Sequence, residues 1–310
     1  MAYLWILFGL VLLIFGGNLL VDGSVGLARK MKVSPLLIGL VLVGFGTSTP
    51  ELLTSLIAVY KGAEGITIGN VVGSNIANIL LVLGMAAVLR PVPVHKKSLK
   101  RDGMFLILST VVLVLALLGS RIGLCWGLVM CGTLMFYVCY AYKTEKQMPE
   151  IEAEQDASFQ RQSWALFLFK TIVGIALTLY GARLLVDNAV IIATIFGVET
   201  KVIGLTLVAV GTSLPELMTS IVASFKKQSD VALGNVIGSN IFNALFILGL
   251  TALFMPIQVP EKMMVDICVM VLATLLMLAF GLMNRTLGRK IGVLFLMLYI
   301  GYITYLGVFS

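Results

Sequence analysis

With 310 residues, 59% of them hydrophobic and 12% charged, and a mean hydropathy of +1.05, the chain has the composition of an integral membrane protein and not of two soluble domains. A spanning helix takes about 20 apolar residues, so ten spans use roughly 200 residues and leave no room for a separate soluble enzyme domain. The net charge of +7, from 22 Lys and Arg against 15 Asp and Glu, is therefore read loop by loop as an orientation signal and not as a nucleic-acid footprint.

Apolar runs divided by charged or Gly/Pro-containing breaks predict ten spans, at about 3–21, 35–60, 65–89, 104–119, 123–142, 164–184, 201–225, 231–255, 263–283 and 291–308. The first run lacks the basic start of a signal peptide, and a similar run recurs mid-chain, so it is taken as a span. Cys125, Cys131, Cys139 and Cys268 lie in apolar runs without metal-ligand spacing and are expected as buried, inert thiols. His95, the only histidine, stands beside Lys96 and Lys97 and is expected to be solvated. Of the Lys and Arg in the predicted loops, sixteen fall in one alternating set of loops and four (Lys61, Arg121, Lys201, Lys262) in the other. The positive-inside rule then makes this a multi-pass protein of the cytoplasmic (plasma) membrane with both termini outside and the 143–163 loop cytoplasmic.

The chain also repeats itself. Residues 38–84 align without a gap on residues 203–249 at an offset of 165, with about 26 of 47 positions identical, and Leu20-Val21-Asp22 matches Leu185-Val186-Asp187 at the same offset. The expected organisation is a five-helix repeat over 1–142, a cytoplasmic loop over 143–163 and a second five-helix repeat over 164–310. Five is odd, so the second copy enters the membrane from the opposite side. The expected fold is thus all-α and integral to the membrane, with ten transmembrane helices in two inverted repeats and broken helices at an ion site. Transporters built this way bind substrate near the midplane, where the halves meet.

Each copy carries the same chemistry inside an apolar span. The first reads Gly44-Phe45-Gly46-Thr47-Ser48-Thr49-Pro50-Glu51 and the second Ala209-Val210-Gly211-Thr212-Ser213-Leu214-Pro215-Glu216. Mid-span Gly and Pro loosen the helix, and the carbonyls so freed are tolerated only where buried or facing a hydrated cavity. Helical spacing puts Thr47 and Ser48 on the face of Glu51, and Thr212 and Ser213 on that of Glu216. A charged side chain at the bilayer centre costs about 2.5 to 3.5 kcal/mol, so two Glu at equivalent positions mark a functional site. The next span of each copy holds Gly69-Asn70-Val71-Val72-Gly73-Ser74-Asn75-Ile76-Ala77-Asn78 and Gly234-Asn235-Val236-Ile237-Gly238-Ser239-Asn240-Ile241-Phe242-Asn243. Ser74 with Asn78, and Ser239 with Asn243, each share a helix face. Asn70, Asn75, Asn235 and Asn240 are read as hydrogen-bonding or capping residues, and Gly73 and Gly238 as close-packing positions. Carboxylates, hydroxyls, amides and freed carbonyls make an all-oxygen donor set, which suits hard cations: calcium first, since two carboxylates neutralise one divalent ion, and sodium with the same oxygens.

The doubled GTS(L)PE and GNxxGSN motifs, five spans apart, resemble the alpha-repeats of sodium/calcium exchangers of the prokaryotic type, in the cation/calcium exchanger superfamily, and the ten-span layout extends the resemblance over essentially the whole chain. It implies a secondary antiporter exchanging Ca2+ for Na+ by alternating access, with no cofactor and no catalytic residue. It further implies that calcium is held by Glu51, Glu216 and the carbonyls of Thr47 and Thr212. Sodium would use Glu51, Glu216, Ser48, Ser74, Ser213, Ser239, the Thr47 and Thr212 side chains and the carbonyls of Gly44 and Ala209. Asn78 and Asn243 complete the expected site; at position 243 many of these exchangers carry Asp, so this chain has one carboxylate fewer. The short 143–163 loop leaves no place for the large calcium-sensing domain of animal relatives. Expected partners are the two ions and the lipid bilayer, with no nucleic acid and no obligate protein. A proton-driven calcium exchanger of the same superfamily and a cation channel are the competing readings. An intramembrane enzyme is disfavoured by the lack of HExxH, paired intramembrane Asp or a Ser/His pair in the spans.

Overall fold

Lipid offers no hydrogen bonds, so an apolar chain satisfies its backbone internally as helices. The computed structural model describes residues 1–144, 162–196, 209–260, 263–284 and 286–309, and these are almost wholly helical. In chain order the elements are α1 (Ala2–Met31), α2 (Pro35–Thr47), α3 (Thr49–Tyr60), α4 (Glu64–Leu89), β1 (Val92–Pro93), α5 (Lys96–Leu117), β2 (Arg121–Ile122), α6 (Leu124–Thr144), α7 (Trp164–Ile195), α8 (Ala209–Thr212), α9 (Leu214–Phe225), α10 (Ser229–Phe254), β3 (Ile257–Gln258), α11 (Met264–Met283), β4 (Thr286–Leu287) and α12 (Arg289–Phe309). Seven helices among the described residues are long and apolar enough to cross a membrane, and the bent pair α2 and α3 makes eight. Of the other two expected spans, the apolar part of α5 begins only after Lys96, Lys97, Lys100, Arg101 and Asp102, and residues 201–208 lie outside the described residues. So does 145–161, most of the expected cytoplasmic loop.

Two helices outrun their apolar stretches. α1 continues some ten residues past the expected end, through Asp22, Arg29 and Lys30, and stops only where Lys32 adopts a left-handed conformation (φ 55°) with its N–H on the carbonyls of Ala28 and Arg29. α7 likewise runs on to Ile195. Hydropathy falls where charge begins, whereas a helix ends where its last carbonyls are capped. The extra turns of α1 are held by packing on α7. These two helices lie backbone to backbone: a Cβ on Gly181 would sit 2.7 Å from the Gly9 carbonyl oxygen, and one on Gly9 would sit 2.8 Å from that of Gly181.

The apolar core surrounds α4 and α10, whose Ile68, Val71, Val72 and Ile76 meet Val236, Ile237, Ile241 and Leu248. α1, α6, α7 and α12 form the rim and turn large apolar side chains outward. Cys125, Cys131 and Cys139 lie on α6 of this rim and Cys268 on α11: all four are free thiols, and Cys125, Cys139 and Cys268 are exposed on the outer face and not buried as expected, because in lipid an apolar run has no need of an inward face. His95 is exposed as expected, 3.8 Å from the Asp230 carboxylate. Two short ribbons tie the halves together: β1 pairs with β4 (Val92 opposite Leu287) and β2 with β3 (Ile122 opposite Ile257). α5 therefore begins where α11 ends and ends where α11 begins.

A valine at Gly181 is expected to force α1 from α7 and lower stability by about 1–3 kcal/mol. Thermal unfolding in detergent measures this, with Gly132→Val, where no described atom lies within 4 Å of the new Cβ, staying near the parent.

Candidate functional site

The two helical breaks have the same geometry and the same cause. α2 and α3 meet at Ser48 (φ −81°, ψ 7°) with a bend of 41°, and α8 and α9 meet at Ser213 (φ −86°, ψ 4°). Pro50 and Pro215 are the second residues of the new helices; each lacks an N–H and crowds the carbonyl four residues back, which stops the preceding helix from running through. Glu51 and Glu216 follow at once, in the first turn, where unbonded N–H groups and the helix dipole favour a carboxylate. Both are fully buried and interact electrostatically with each other. Wider π-helical turns occupy Gly39–Val43, Asn78–Leu83 and Asn243–Ile247, so Asn78 and Asn243 each stand where their helix loosens.

The break re-aims the hydroxyls. Thr47 and Ser48 were expected beside their own Glu51, but because the helix ends between them and the glutamate they reach the other half of the chain. Ser48 Oγ donates to Glu216 Oε1 at 3.3 Å, and Thr47 Oγ1, which lies 3.0 Å from the Val43 carbonyl of its own helix, is also 3.1 Å from Asn235 Oδ1 and 3.4 Å from Ser239 Oγ. Ser239 Oγ is 3.4 Å from both Glu216 Oε1 and the Gly44 carbonyl oxygen. Thr49 turns away and bonds the carbonyl of Phe45.

The Asn residues fasten the broken helices to α4 and α10. Asn235 Nδ2 donates to the Glu216 carbonyl (3.2 Å) and Ser220 Oγ (3.0 Å); Asn70 Nδ2 donates to the Glu51 carbonyl (3.1 Å) and Ser55 Oγ (3.2 Å). Asn75 and Asn240 exchange bonds, each amide donating to the other's backbone carbonyl at 3.3 and 3.2 Å. Ser55 and Ser220, not singled out in the sequence, are fully buried members of these networks. Their signal is available in hindsight: Thr54-Ser55 and Thr219-Ser220 are identical in both copies at the 165-residue offset.

What remains unpaired is informative. Both carboxylate oxygens of Glu51, Oε2 of Glu216, Ser213 Oγ and the whole side-chain amides of Asn78 and Asn243 are buried without a hydrogen-bond partner. A buried polar group left unpaired costs about 1–3 kcal/mol, more for a charged one, so such a concentration calls for a ligand. No His, Cys or third carboxylate joins the two glutamates among the described residues. The donor set is oxygen throughout, which fits a hard cation. Ser74 is buried; Thr212 is half-buried; of Ala209 only its place at the start of α8 is described.

The two halves differ in access. A cavity of about 360 Å³ is lined by Thr54, Gly69, Asn70, Gly73 and Thr212 together with Asp266, Tyr299 and Tyr302. Its counterparts across the repeat are shut: Asn235 is fully buried, and Gly238 lies against the Leu40 backbone so closely that a Cβ has no room. On that closed side Leu20, Val21, Val25, Val43, Val222 and Val231 pack together, and Lys226 Nζ pairs with Asp22 at 2.6 Å.

The chain matches the family model described as sodium/calcium exchanger protein over residues 1–143 and 166–308. It is 38% identical over 310 residues to the putative antiporter CaxA of Alkalimonas amylolytica, with 97% of each chain covered. To the sodium/calcium exchanger MaX1 of Methanosarcina acetivorans it is 33% identical over 342 residues, covering 98% of each. A solved structure of the sodium-calcium exchanger NCX_Mj has a TM-score of 0.85 at 37% identity over 98% of both chains.

Asn235→Ala removes, in a dry interior, the amide that donates to the Glu216 carbonyl and the Ser220 hydroxyl and one acceptor of the Thr47 hydroxyl. Asn70→Ala is expected to cost less, because the cavity lets water replace the lost amide. Comparison of the two thermal unfolding midpoints checks the order.

Proposed function

The chain belongs to the sodium/calcium exchanger protein family, and from that premise we propose that it is a secondary antiporter, not an enzyme, exchanging Ca2+ for Na+ across the membrane by alternating access. The observation that carries this reading is the pair of buried glutamates, one from each half, whose oxygens have no cationic protein partner. In our reading Glu51 and Glu216 are shared by both ions. Thr47, Ser48, Ser74, Thr212, Ser213, Ser239, Asn78 and Asn243, and the carbonyls of Gly44 and Ala209, make up the rest of the cage. Two carboxylates balance one Ca2+, and the hydroxyl and amide oxygens suit the smaller charge of Na+. With both ions competing for the same carboxylates, occupancy by one expels the other.

Ten spans in two inverted repeats, over 1–142 and 164–310, is the fold this mechanism uses. The strand pairing supports the inversion: β1 meets β4 and β2 meets β3, so α5 and α11, which hold corresponding places in the two halves, run in opposite directions. The charge distribution supports termini outside and the 143–163 loop in the cytoplasm, which makes the cavity outward-facing.

Calcium flux in proteoliposomes is expected to follow an imposed Na+ gradient in either direction, and flux that follows pH steps and ignores Na+ overturns the sodium coupling. Glu51→Gln and Glu216→Gln are each expected to abolish exchange while the purified protein stays monodisperse, since a dehydrated divalent ion is then left under-neutralised. Near-normal flux in either variant removes that residue from the site.

Alternating access makes a second demand. The repeat equivalents of Asp22 and Lys226 are Asp187 and Lys61, yet Asp187 lies 3.6 Å from Arg183 of its own helix, and the ion pairs among the described residues include none between Asp187 and Lys61. In the opposite state the exchange of roles is expected to pair Lys61 with Asp187. With the four native cysteines replaced, a short bifunctional thiol reagent is expected to bridge Lys61→Cys with Asp187→Cys only as the cavity closes, slowing alkylation of a cysteine at Thr54. Bridging that leaves that alkylation rate unchanged refutes the exchange.

A further inference from the structure

We propose that Asp266, steadied by Tyr302, is a cation-recruiting station in the vestibule, drawing Ca2+ and Na+ into the cavity before they reach Glu51 and Glu216. The proposal rests on the cation-exchange reading above and adds a residue outside the buried cage. Asp266 lies in the first turn of α11 and lines the same cavity as Asn70, Gly73 and Thr212, which border the buried site. Among the described residues it is the one charged side chain lining that cavity. Tyr302 of α12 donates its hydroxyl to Asp266 Oδ1 at 2.7 Å, which fixes the carboxylate and leaves Oδ2 without a described partner. The remaining walls are largely apolar (Ile66, Val72, Ile303, Leu306), and a low-dielectric cleft with one charge that no described cation pairs focuses its field along the passage.

The other half of the molecule provides the contrast. Tyr137, which lies 165 residues before Tyr302, donates to Asp102 Oδ1 at 3.4 Å, so an Asp–Tyr pair joins α5 to α6 as another joins α11 to α12. Asp102, however, is fully buried, and Arg101 holds both its oxygens, with Nε at 2.7 Å from Oδ1 and Nη2 at 3.1 Å from Oδ2. Val265 precedes Asp266 where Arg101 precedes Asp102. The first pair is a neutralised structural clamp; the second keeps its negative charge on the ion path. Of the two Asp–Tyr pairs among the described residues, the one on the cavity side is the one whose carboxylate no described cation neutralises.

Asp266→Asn tests this, because asparagine keeps an acceptor for Tyr302 and removes only the charge. In proteoliposomes of sorted orientation at low ionic strength, the half-saturating Ca2+ offered on the cavity side is expected to rise by about three- to tenfold with an unchanged maximal rate. The shift for Na+ is expected to be near the square root of that for Ca2+, since the interaction scales with ionic charge, and both shifts shrink when N-methylglucamine chloride screens the field. Tyr302→Phe, which keeps the charge, is expected to shift half-saturation less. An unchanged half-saturation, a shift that persists at high ionic strength, or a fall in maximal rate alone overturns the proposal and leaves Asp266 as a helix clamp. Failure here is separable from failure of the exchange reading: a parent protein that moves Ca2+ against Na+ while Asp266→Asn matches it rejects only the vestibule.

Discussion

Everything in this protein is arranged around two carboxylates held in a low-dielectric interior without a protein cation to balance them. Such a pair is intolerable in an isolated fold, because burial and mutual repulsion both oppose charge. A hard cation between them would relieve both penalties without any soft ligand. On the same argument an empty, charged pair would be the costly state, and movement between the two sides would be cheapest with the pair neutralised, whether by one divalent ion or by several monovalent ones.

The local backbone exists to serve that pair. Proline at the second position of α3 and α9 forces the break, the break sets each glutamate on a helix N-terminus, and the residue at the break is a serine whose hydroxyl is free to turn outward from its own helix. Broken helices in lipid need their loose ends fastened, and the amides of Asn70 and Asn235 do this by holding the carbonyl of the glutamate itself. The reciprocal Asn75 and Asn240 bonds join α4 to α10.

Two nearly identical sequences adopt two different environments in one chain. Thr47 and Asn235 are sealed, while Thr212 and Asn70 face a cavity; Asp22 is latched to Lys226, while Asp187 turns to its own helix. Since the repeated residues carry the same intrinsic preferences, the difference is set by packing. Two arrangements of similar energy, exchanged between the halves, are what an inverted repeat provides.

The sequence by itself determined the class of molecule, the repeat and the helix breaks, and it pointed to the polar residues that the fold buries around the two glutamates. Glu51 and Glu216 were legible because an acid inside an apolar run has few structural explanations, and Thr47, Ser48, Ser239, Asn78 and Asn243 because each recurs with its copy. It misjudged the ends of α1 and α7, since a hydropathy pattern stops at Asp22 or Leu184 while the helix stops only at its cap. It placed the cysteines inside, because an apolar run in lipid does not say which face is outward. Only the tertiary structure decided that Ser48 serves Glu216 and not Glu51, that Ser55 and Ser220 anchor the cage, and which of two equivalent entrances is open. Those are contacts between residues far apart in the chain, and periodicity reports on neighbours along one helix, not on which helix comes to lie against it.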